Sequence, residues 1–270
     1  MLMMVSFESS PARDKVQLLD SHFQRGSAQK RTTCDPMQLD VMSYNIRLGL
    51  DSNLDDIADA IIAYGTPDVL AIQEVGSHWN MGQRIDQTAY LAERLRMNGT
   101  FCGALTDSDG GQYGIALLTR SAHEVIAHRR LPIDADEQRV CLIAKMRTQI
   151  PVTLITSHLS IKDGERRQQA EALQSIMRTV SGPAILLGDF NARPESAEYR
   201  TLTDTCTDAF AAFGTGLAET FSVKDPHRQI DYIMLSKDHW IGDRCHVLRH
   251  IKASDHFPIS ARITCTSEGV

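Results

Sequence analysis

Short apolar runs recur along the chain from Val41 onward, and most of them end in an acidic, amide or imidazole side chain. Apolar runs of this length between turn-forming residues are typical of β-strands, and those without polar alternation are typical of strands buried on both faces. Sheets that are covered on both sides imply a layered α/β structure, most simply two packed sheets with helices outside. The predicted strands are Leu39–Ile46, Asp68–Gln73, Ile115–Thr119, Arg139–Arg147, Val152–Ser157, Ala184–Leu187, Gln229–Leu235 and His256–Arg262.

Three segments have the periodicity of amphipathic helices. The first follows Asn53 and places a stripe of apolar residues on one side, ending before Gly65: Leu54, Ile57, Ala58, Ile61 and Ile62. The second runs from about Asp163 to Val180, and we expect Glu165, Arg166 and Arg167 to point outward. The third covers Arg84 to Arg96.

The organisation of the chain predicts one catalytic domain between two short terminal segments. Residues 1–37 are polar and aperiodic and predict a poorly ordered extension, with one short helix near Val16–Phe23. Residues 38–265 form the predicted domain, and 266–270 form a tail. Asn98-Gly99-Thr100 predicts a tight hairpin turn.

Composition excludes several classes of protein. No apolar run approaches the roughly 18 residues that a membrane-spanning helix needs, so we expect no stable membrane insertion. The beginning of the sequence lacks the features of a secretory signal, which predicts a cytoplasmic protein. The six cysteines of the chain include no Cys-x-x-Cys pair, which predicts that they are free thiols. The formal net charge is −6, which counts against a protein that binds mainly to a phosphate backbone.

The polar residues at the strand ends are the strongest functional signal. Any one Asp or Asn there has an ordinary role as a turn or cap residue. Asp231 is harder to explain in that way, because it lies between Ile230 and Ile233 and is costly to bury without a partner. The joint occurrence of such side chains at six strand ends or strand positions predicts a shared site at one edge of the fold.

The residue types at these positions favour metal-assisted chemistry. Glu74 and several aspartates offer oxygen ligands without thiols, which suits Mg²⁺ or Mn²⁺ better than Zn²⁺. Asp189 and Asn191 are two residues apart, so in an extended segment both reach one water molecule. His158 and His256 supply groups that titrate near neutral pH. A metal, an activated water and cationic donors are together what phosphoester hydrolysis requires.

The motifs also match a known family in order and spacing across residues 39–263. The chain resembles the endonuclease/exonuclease/phosphatase superfamily, the DNase I-like metal-dependent phosphoesterases. The resemblance implies a four-layered α/β/β/α sandwich, with two packed mixed β-sheets and helices outside. The matching segments are Ser43-Tyr44-Asn45-Ile46-Arg47, Gln73-Glu74-Val75, Tyr113-Gly114-Ile115-Ala116, Ser157-His158-Leu159, Gly188-Asp189-Phe190-Asn191-Ala192-Arg193-Pro194, Ile230-Asp231-Tyr232-Ile233 and Ser254-Asp255-His256-Phe257-Pro258.

By this resemblance, the metal and the attacking water each have assigned residues. Glu74 is implied as the principal metal ligand, with Asn45 beside it and Asp255 near the metal. Asp189 is implied to activate or hold the water, and Asn191 to orient it.

The resemblance also assigns residues to the phosphate. His256, oriented by Asp231, is implied either to act as general base or to bind a phosphoryl oxygen, and the sequence leaves both roles open. His158 is implied to donate to the phosphate or to the leaving oxygen. Tyr113 is implied to contact the phosphate.

Arginines near the motifs are candidates for holding substrate phosphate, because the guanidinium is a planar fork. They are Arg47, Arg139, Arg193 and Arg228; for Arg193 and Arg228, surface charge or a loop salt bridge is the alternative. Arg47 stands where the abasic-site branch carries an acidic residue, and Ile115 stands where the family often has Asn.

These observations predict a Mg²⁺- or Mn²⁺-dependent phosphodiesterase acting on a small or lipid-linked phosphoester. A DNA or RNA nuclease is the first alternative, although the chain has no strongly basic segment with interleaved aromatics, and His128-Arg129-Arg130 is only a short positive cluster. A non-catalytic binding module on the same fold is the second alternative. No protein partner can be inferred from the sequence.

Overall fold

Residues 36–133 and 137–266 are described by the structure, a computed structural model. They all belong to one compact unit that begins at Pro36. The helix predicted near Val16–Phe23, and all but the last two residues of the predicted extension, lie outside the described residues, as do the last four residues of the chain.

Two six-stranded mixed sheets form the centre of the fold. Each contains one parallel pair among otherwise antiparallel neighbours: β1 with β2 in the first sheet and β7 with β8 in the second. The first sheet has the strand order β11 (Trp240–Val247), β12 (Ile259–Cys265), β1 (Gln38–Asn45), β2 (Val69–Ser77), β4 (Gln112–Thr119) and β3 (Asn98–Thr106). The second has the order β5 (His123–Arg130), β6 (Val140–Met146), β7 (Val152–His158), β8 (Ala184–Asp189), β10 (Asp231–Ser236) and β9 (Cys206–Asp208).

Helices cover the outer faces of both sheets. One apolar cluster joins the two sheets, with Val41 and Leu117 from the first and Leu154 and Ile185 from the second. Separate clusters bury the outer faces under the helices. The predicted four-layered sandwich is therefore confirmed. The α-helices are α1 (Leu54–Tyr64), α2 (Gln87–Leu95), α3 (Asp163–Thr179), α4 (Ala197–Thr203) and α5 (Ala209–Phe213).

Helix α1 begins and ends as the sequence predicts, with one exception on its apolar face. The Asn53 side chain accepts a hydrogen bond from the Asp56 backbone N–H and caps the first turn. Ile62 was expected to be buried, but 45% of it is exposed. Ile61 already fills the contact with the sheet, and the next position has turned about 100° toward solvent.

Two charged residues of α3 correct the predicted outward face. Glu165 and Arg166 are buried, whereas Arg167 is exposed as predicted. The Glu165 carboxylate accepts from the Ser160 hydroxyl at 2.9 Å, and Arg166 donates to the Ile161 carbonyl at 2.8 Å. Burial is possible because these polar groups have partners in the segment that follows β7.

The hairpin turn predicted at Asn98-Gly99-Thr100 is wrong, because these residues begin strand β3. The Asn98 side chain donates to the carbonyl oxygens of Thr119 and Arg120 across the pair with β4. A side chain at position 99 would place its Cβ only 3.0 Å from the Cβ of Ala92. Glycine is therefore needed here for close packing of β3 on α2, and not for a turn.

The cysteines of the described part of the chain are free, as predicted, and all five are buried in the strands and their flanks. In residues 36–133 and 137–266, none of the helices is both long and apolar enough to cross a membrane.

Candidate active site

The carboxyl ends of the two parallel strand pairs meet at one edge of the sandwich. β1 ends at Asn45 and β8 ends at Asp189, and these two residues lie in different sheets. The Asn45 side-chain amide donates to Asp189 Oδ2 at 3.1 Å and to Glu74 Oε1 at 2.9 Å. The same nitrogen lies 3.5 Å from His256 Nε2. One fully buried amide thus joins three residues that are far apart in the sequence.

Glu74 is aimed into this cleft by an irregularity in β2. The register with β4 shifts between Gln73 and Val75, which leaves Glu74 unpaired at a bulge. Its φ of 53° is in the left-handed region, where non-glycine residues are uncommon. Burial raises the pKa of the Glu74 carboxyl, although the hydrogen bond from Asn45 opposes the change. Such a strained, half-buried carboxylate is typical of a functional position.

Asp231 and His256 form a hydrogen-bonded pair. His256 Nδ1 lies 2.8 Å from Asp231 Oδ2, so Asp231 has the partner that its apolar position in β10 requires. The other oxygen, Oδ1, is buried without a hydrogen-bond partner among the described residues. Burial lowers the pKa of His256, but the charges of Asp231 and Asp189 outweigh it and raise that pKa above its usual range. His256 is therefore held as a cation between two carboxylates.

His158 is held in the opposite way. Arg139 Nη1 lies 3.1 Å from His158 Nδ1, and a guanidinium can only donate. The Nδ1 atom must accept, so the ring is neutral and carries its proton on Nε2, which lies 3.5 Å from Asp189 Oδ2. Burial and the charge of Arg139 hold the pKa of His158 well below its usual value.

Asp189 is the carboxylate that both imidazoles approach. Its backbone is placed by Gly188, which has a φ of 155°. A side chain is excluded at position 188, because its Cβ would lie only 2.0 Å from the Ser157 carbonyl oxygen. Burial, and then the charge of Asp231, raise the pKa of Asp189. This strand position therefore brings a poorly solvated carboxylate to the centre of the cleft.

Asn191 reaches the site by a different route from the one expected. The segment is not extended beyond Asp189, because Asn191 has a left-handed φ of 48° and its N–H donates to Asp189 Oδ1. Its side chain donates to the Leu159 carbonyl at 3.0 Å and lies 3.2 Å from His158 Nε2. Asn191 and Asp189 do converge on His158, through a tight turn.

The remaining predicted residues line the edge of this cleft. Asp255 Oδ2 lies 3.6 Å from Arg47 Nε, and Arg47 also pairs with Asp51 at the exposed rim. Tyr113 is buried, and its pKa is raised by burial and then by the charge of Glu74. Arg139 is likewise buried, and its Nη2 donates to a Glu137 oxygen at 3.1 Å.

Two aromatic residues that the sequence analysis did not single out belong to the same surroundings. The Phe221 ring packs against His256 with 4.7 Å between centroids, and the Trp79 ring lies 5.8 Å from that of Tyr113. Both come from irregular segments. Only 6% of the chain is aromatic, so an aromatic residue in a polar loop was the available signal.

The donor set fits a hard divalent cation. Among the described residues, the Glu74 carboxylate accepts a hydrogen bond at Oε1 and none at Oε2. Asp231 Oδ1 is likewise buried without a hydrogen-bond donor from these residues. Asp189, Asp231 and His256 also place one potential ligand atom each within 4.8 Å of one another, but hydrogen bonding already explains that proximity. Buried carboxylates in excess of buried cations are stabilised by a bound metal ion.

A separate groove lies elsewhere on the described structure. It has a volume of about 700 Å³ and lies between α3 and strands β5 and β6, and it contains none of the predicted site residues. Its lining includes exposed Arg129 and Arg130 at the end of β5, the cluster noted in the sequence. The groove and the candidate active site are therefore two different places on the fold.

Comparisons of sequence and of structure show which known proteins this chain resembles. The sequence model described as "Endonuclease/Exonuclease/phosphatase family" matches residues 42–256. No curated protein gives a significant match.

Solved structures match over most of the chain. A family protein from Bacteroides thetaiotaomicron has 21% identity and a TM-score of 0.70, covering 86% of this chain and 99% of that one. A mannosyl-6-phosphatase from the same organism has 20% identity and a TM-score of 0.68, covering 83% and 99%. The human Nocturnin catalytic domain, with bound sulfate, has 22% identity and a TM-score of 0.64, covering 86% and 94%. At these identities the likeness shows the shared fold.

Proposed function

Because the chain belongs to the endonuclease/exonuclease/phosphatase family, we propose that it is a Mg²⁺- or Mn²⁺-dependent phosphodiesterase that hydrolyses a small or lipid-linked phosphoester. The family consists of metal-dependent enzymes that hydrolyse phosphoester bonds, so the chain is a hydrolase of this general class. Beyond this general class, we propose the identity of the metal ion and the class of the substrate.

The contacts of Asn45 carry this proposal. Its amide nitrogen touches Glu74, Asp189 and His256. A metal-binding carboxylate, a water-binding carboxylate and an imidazolium therefore surround one point in a cleft. That combination serves attack of water on a phosphoester, because negative charge develops on the phosphoryl oxygens.

Glu74, Asn45 and Asp255 are the residues proposed to hold the metal. Glu74 and Asp255 offer carboxylate oxygens, the ligands that Mg²⁺ and Mn²⁺ prefer, and Asn45 stands beside them with its amide nitrogen on Glu74. The Asn45 side-chain oxygen accepts from the Arg47 N–H at 3.0 Å, which fixes the orientation of the amide. When bound, such an ion polarises the phosphoryl oxygen and neutralises its developing charge.

Asp189 is proposed to hold the attacking water. Burial and the charge of Asp231 raise its pKa, so it is a stronger base than an exposed aspartate. Three contacts fix the position of this carboxylate. The Asn45 amide and the Asn191 backbone N–H donate to it, and His158 Nε2 lies 3.5 Å from Oδ2. The water would therefore meet a carboxylate whose orientation is already set.

The two histidines are proposed to bind phosphate oxygens. His256 donates from Nδ1 to Asp231, and its Nε2 faces the centre of the cleft. His158 presents a neutral Nε2–H to the same centre, because Arg139 occupies Nδ1. Of the two roles that the sequence left open for His256, this geometry favours binding a phosphoryl oxygen over general base catalysis.

Two further observations favour a small substrate. One structural neighbour is named a mannosyl-6-phosphatase, so a site on this fold can act on a sugar phosphate. The net charge of −6 opposes broad contact with a nucleic acid backbone. A nuclease of the same family remains the alternative outcome of the test.

A substrate panel tests the proposal. Bis(4-nitrophenyl) phosphate, sugar phosphates, sphingomyelin, phosphoinositides, plasmid DNA and RNA are assayed with Mg²⁺ or Mn²⁺. We expect turnover of a small or lipid-linked phosphoester, loss of turnover with EDTA, and recovery with excess metal. Cleavage of DNA or RNA alone, with a steep dependence on salt, would establish the nuclease instead.

A further inference from the structure

We propose that Arg228 forms an anion-binding subsite beside the reaction centre, and that the substrate carries a second negatively charged group close to the scissile phosphate. The inference rests on the proposed function, because it places this group relative to a phosphoester at His256. It narrows the substrate class from small phosphoesters in general to those with an adjacent anion.

Arg228 differs from the other arginines of the described residues. The other buried or half-buried arginines each pair with a carboxylate, as Arg139 does with Glu137 and Arg262 with Asp40. Arg228 is only partly exposed, yet no carboxylate of residues 36–133 or 137–266 forms an ion pair with it. A cation that is withdrawn from water without a counter-ion is unfavourable, so an anion is expected to bind there.

The Arg228 guanidinium is also positioned by packing. Its central carbon lies 4.4 Å from the centroid of the Phe221 ring. This cation–π contact uses the face of the guanidinium and leaves its N–H donors in the plane free. The Nε atom is buried without a hydrogen-bond partner among the described residues. The fork is therefore held in place by Phe221 and not by an acceptor from residues 36–133 or 137–266.

Backbone pairing places this fork next to the reaction centre. Phe221 forms an antiparallel bridge with Arg228 on one side and with His256 on the other. Directly paired residues project to the same face, so the three side chains stand in a row. The Phe221 ring touches both neighbours, at 4.7 Å between its centroid and that of His256. One aromatic ring thus separates the guanidinium from the imidazole proposed to bind phosphate.

The chemistry of the fork defines the ligand. A guanidinium binds the two oxygens of a phosphate or carboxylate in parallel, whereas it repels a quaternary ammonium group. A bisphosphate or pyrophosphate-type substrate fits such a pair of adjacent positions. A choline headgroup does not, because its positive charge would lie against Arg228.

The same fold contains a matched control. Arg249 also stacks on a phenylalanine, with its central carbon 5.4 Å from the Phe257 ring centroid. Unlike Arg228, it donates to a Glu219 oxygen at 3.3 Å. Stacking on an aromatic ring therefore does not require an arginine to remain unpaired.

The test compares binding of orthophosphate and of methylenebisphosphonate by calorimetry at fixed Mg²⁺. The proteins are the wild type, Arg228→Met, Arg228→Lys and Arg249→Met. We expect the wild type to bind the bisphosphonate at least about tenfold more tightly than orthophosphate, as two charge-assisted hydrogen bonds allow. Arg228→Met should lose about tenfold or more of that preference, Arg228→Lys should lose less, and Arg249→Met should keep it.

Three outcomes would overturn the subsite: no bisphosphonate preference in the wild type, an equal loss for both ligands in Arg228→Met, or an equal loss in Arg249→Met. An equal loss for both ligands would mean that Arg228 only supports Phe221 and His256. The readout is binding rather than turnover, so a chain that hydrolyses nothing in the panel can still pass or fail this test. Conversely, turnover of phosphoesters without the preference rejects the subsite and leaves the proposed function intact.

Discussion

The two halves of the candidate site present an imidazole to the same carboxylate but in opposite electrostatic states. His256 Nε2 and His158 Nε2 lie 3.6 Å and 3.5 Å from Asp189 Oδ2. Behind His256, Nδ1 faces the carboxylate of Asp231, whereas behind His158 it faces the guanidinium of Arg139. One ring is therefore held cationic and the other neutral, at nearly equal distances from one oxygen.

The difference shows that the group behind an imidazole, rather than the distance to its target, decides what the ring can do. A cationic His256 can stabilise negative charge on a phosphoryl oxygen. A neutral His158 brings no positive charge to Asp189, which preserves that carboxylate as a base. We therefore expect the two halves to respond differently to substitution.

The largest effect is expected from removing the carboxylate that both halves share. Asp189→Asn keeps the size of the side chain but removes the base and the negative charge, so kcat on a generic phosphodiester should fall by roughly 10²-fold or more. Steady-state kinetics with saturating Mg²⁺ measure the change. Arg249→Met, which lies outside the proposed machinery, is the control. Wild-type turnover in Asp189→Asn contradicts its proposed role with the water.

An intermediate effect is expected from deleting each imidazole separately. His256→Ala removes a cationic donor and should lower kcat by roughly 10²-fold, the lower limit of the loss expected for Asp189→Asn. His158→Ala removes a neutral donor and should cost roughly tenfold. Parallel kinetics on one substrate rank the two variants. Equal losses, or a larger loss for His158→Ala, would contradict the division of roles drawn from Asp231 and Arg139.

The smallest effect, and the most direct test of the comparison, concerns proton affinity. Asp231→Asn removes a charge that raises the pKa of His256, so that pKa should fall. Arg139→Met removes a charge that lowers the pKa of His158, so that pKa should rise. Nitrogen-15 NMR titration of the imidazoles in the metal-free variants reports both shifts. Shifts of the same sign would contradict the opposite effects that we assign to Asp231 and Arg139 on the two imidazoles.

The Arg139→Met variant should also change how the free energy of unfolding depends on pH. The folded wild type binds a proton at His158 less tightly than the unfolded chain does, so His158 lowers the free energy of unfolding as pH falls below about 6.5. Arg139→Met should reduce this loss of stability at low pH, because the folded-state pKa of His158 in the variant lies closer to its value in the unfolded chain. Urea unfolding at pH 7 and pH 5 measures the difference.

Elements with a strong apolar signal were predictable, and elements that depend on neighbours were not. α1 begins at the predicted residue because Asn53 caps it and its stripe has helical spacing. Strand β5, whose residues are mostly exposed, was missed because an edge strand is stabilised by pairing with β6 rather than by burial of an apolar run. The burial of Glu165 was missed for a related reason: its partner Ser160 comes from outside the helix.

The sequence by itself determined which residue types stand at the strand ends, and with them the family and the layered fold. It did so because apolar periodicity and motif order are properties of the chain alone. Only the tertiary structure decided that Asn45 touches Asp189 across two sheets, that Arg139 lies behind His158, and that Arg228 has no carboxylate partner within residues 36–133 and 137–266. Those facts depend on distances between segments that lie far apart in sequence, and charge interactions at a few ångströms set protonation and ligand preference.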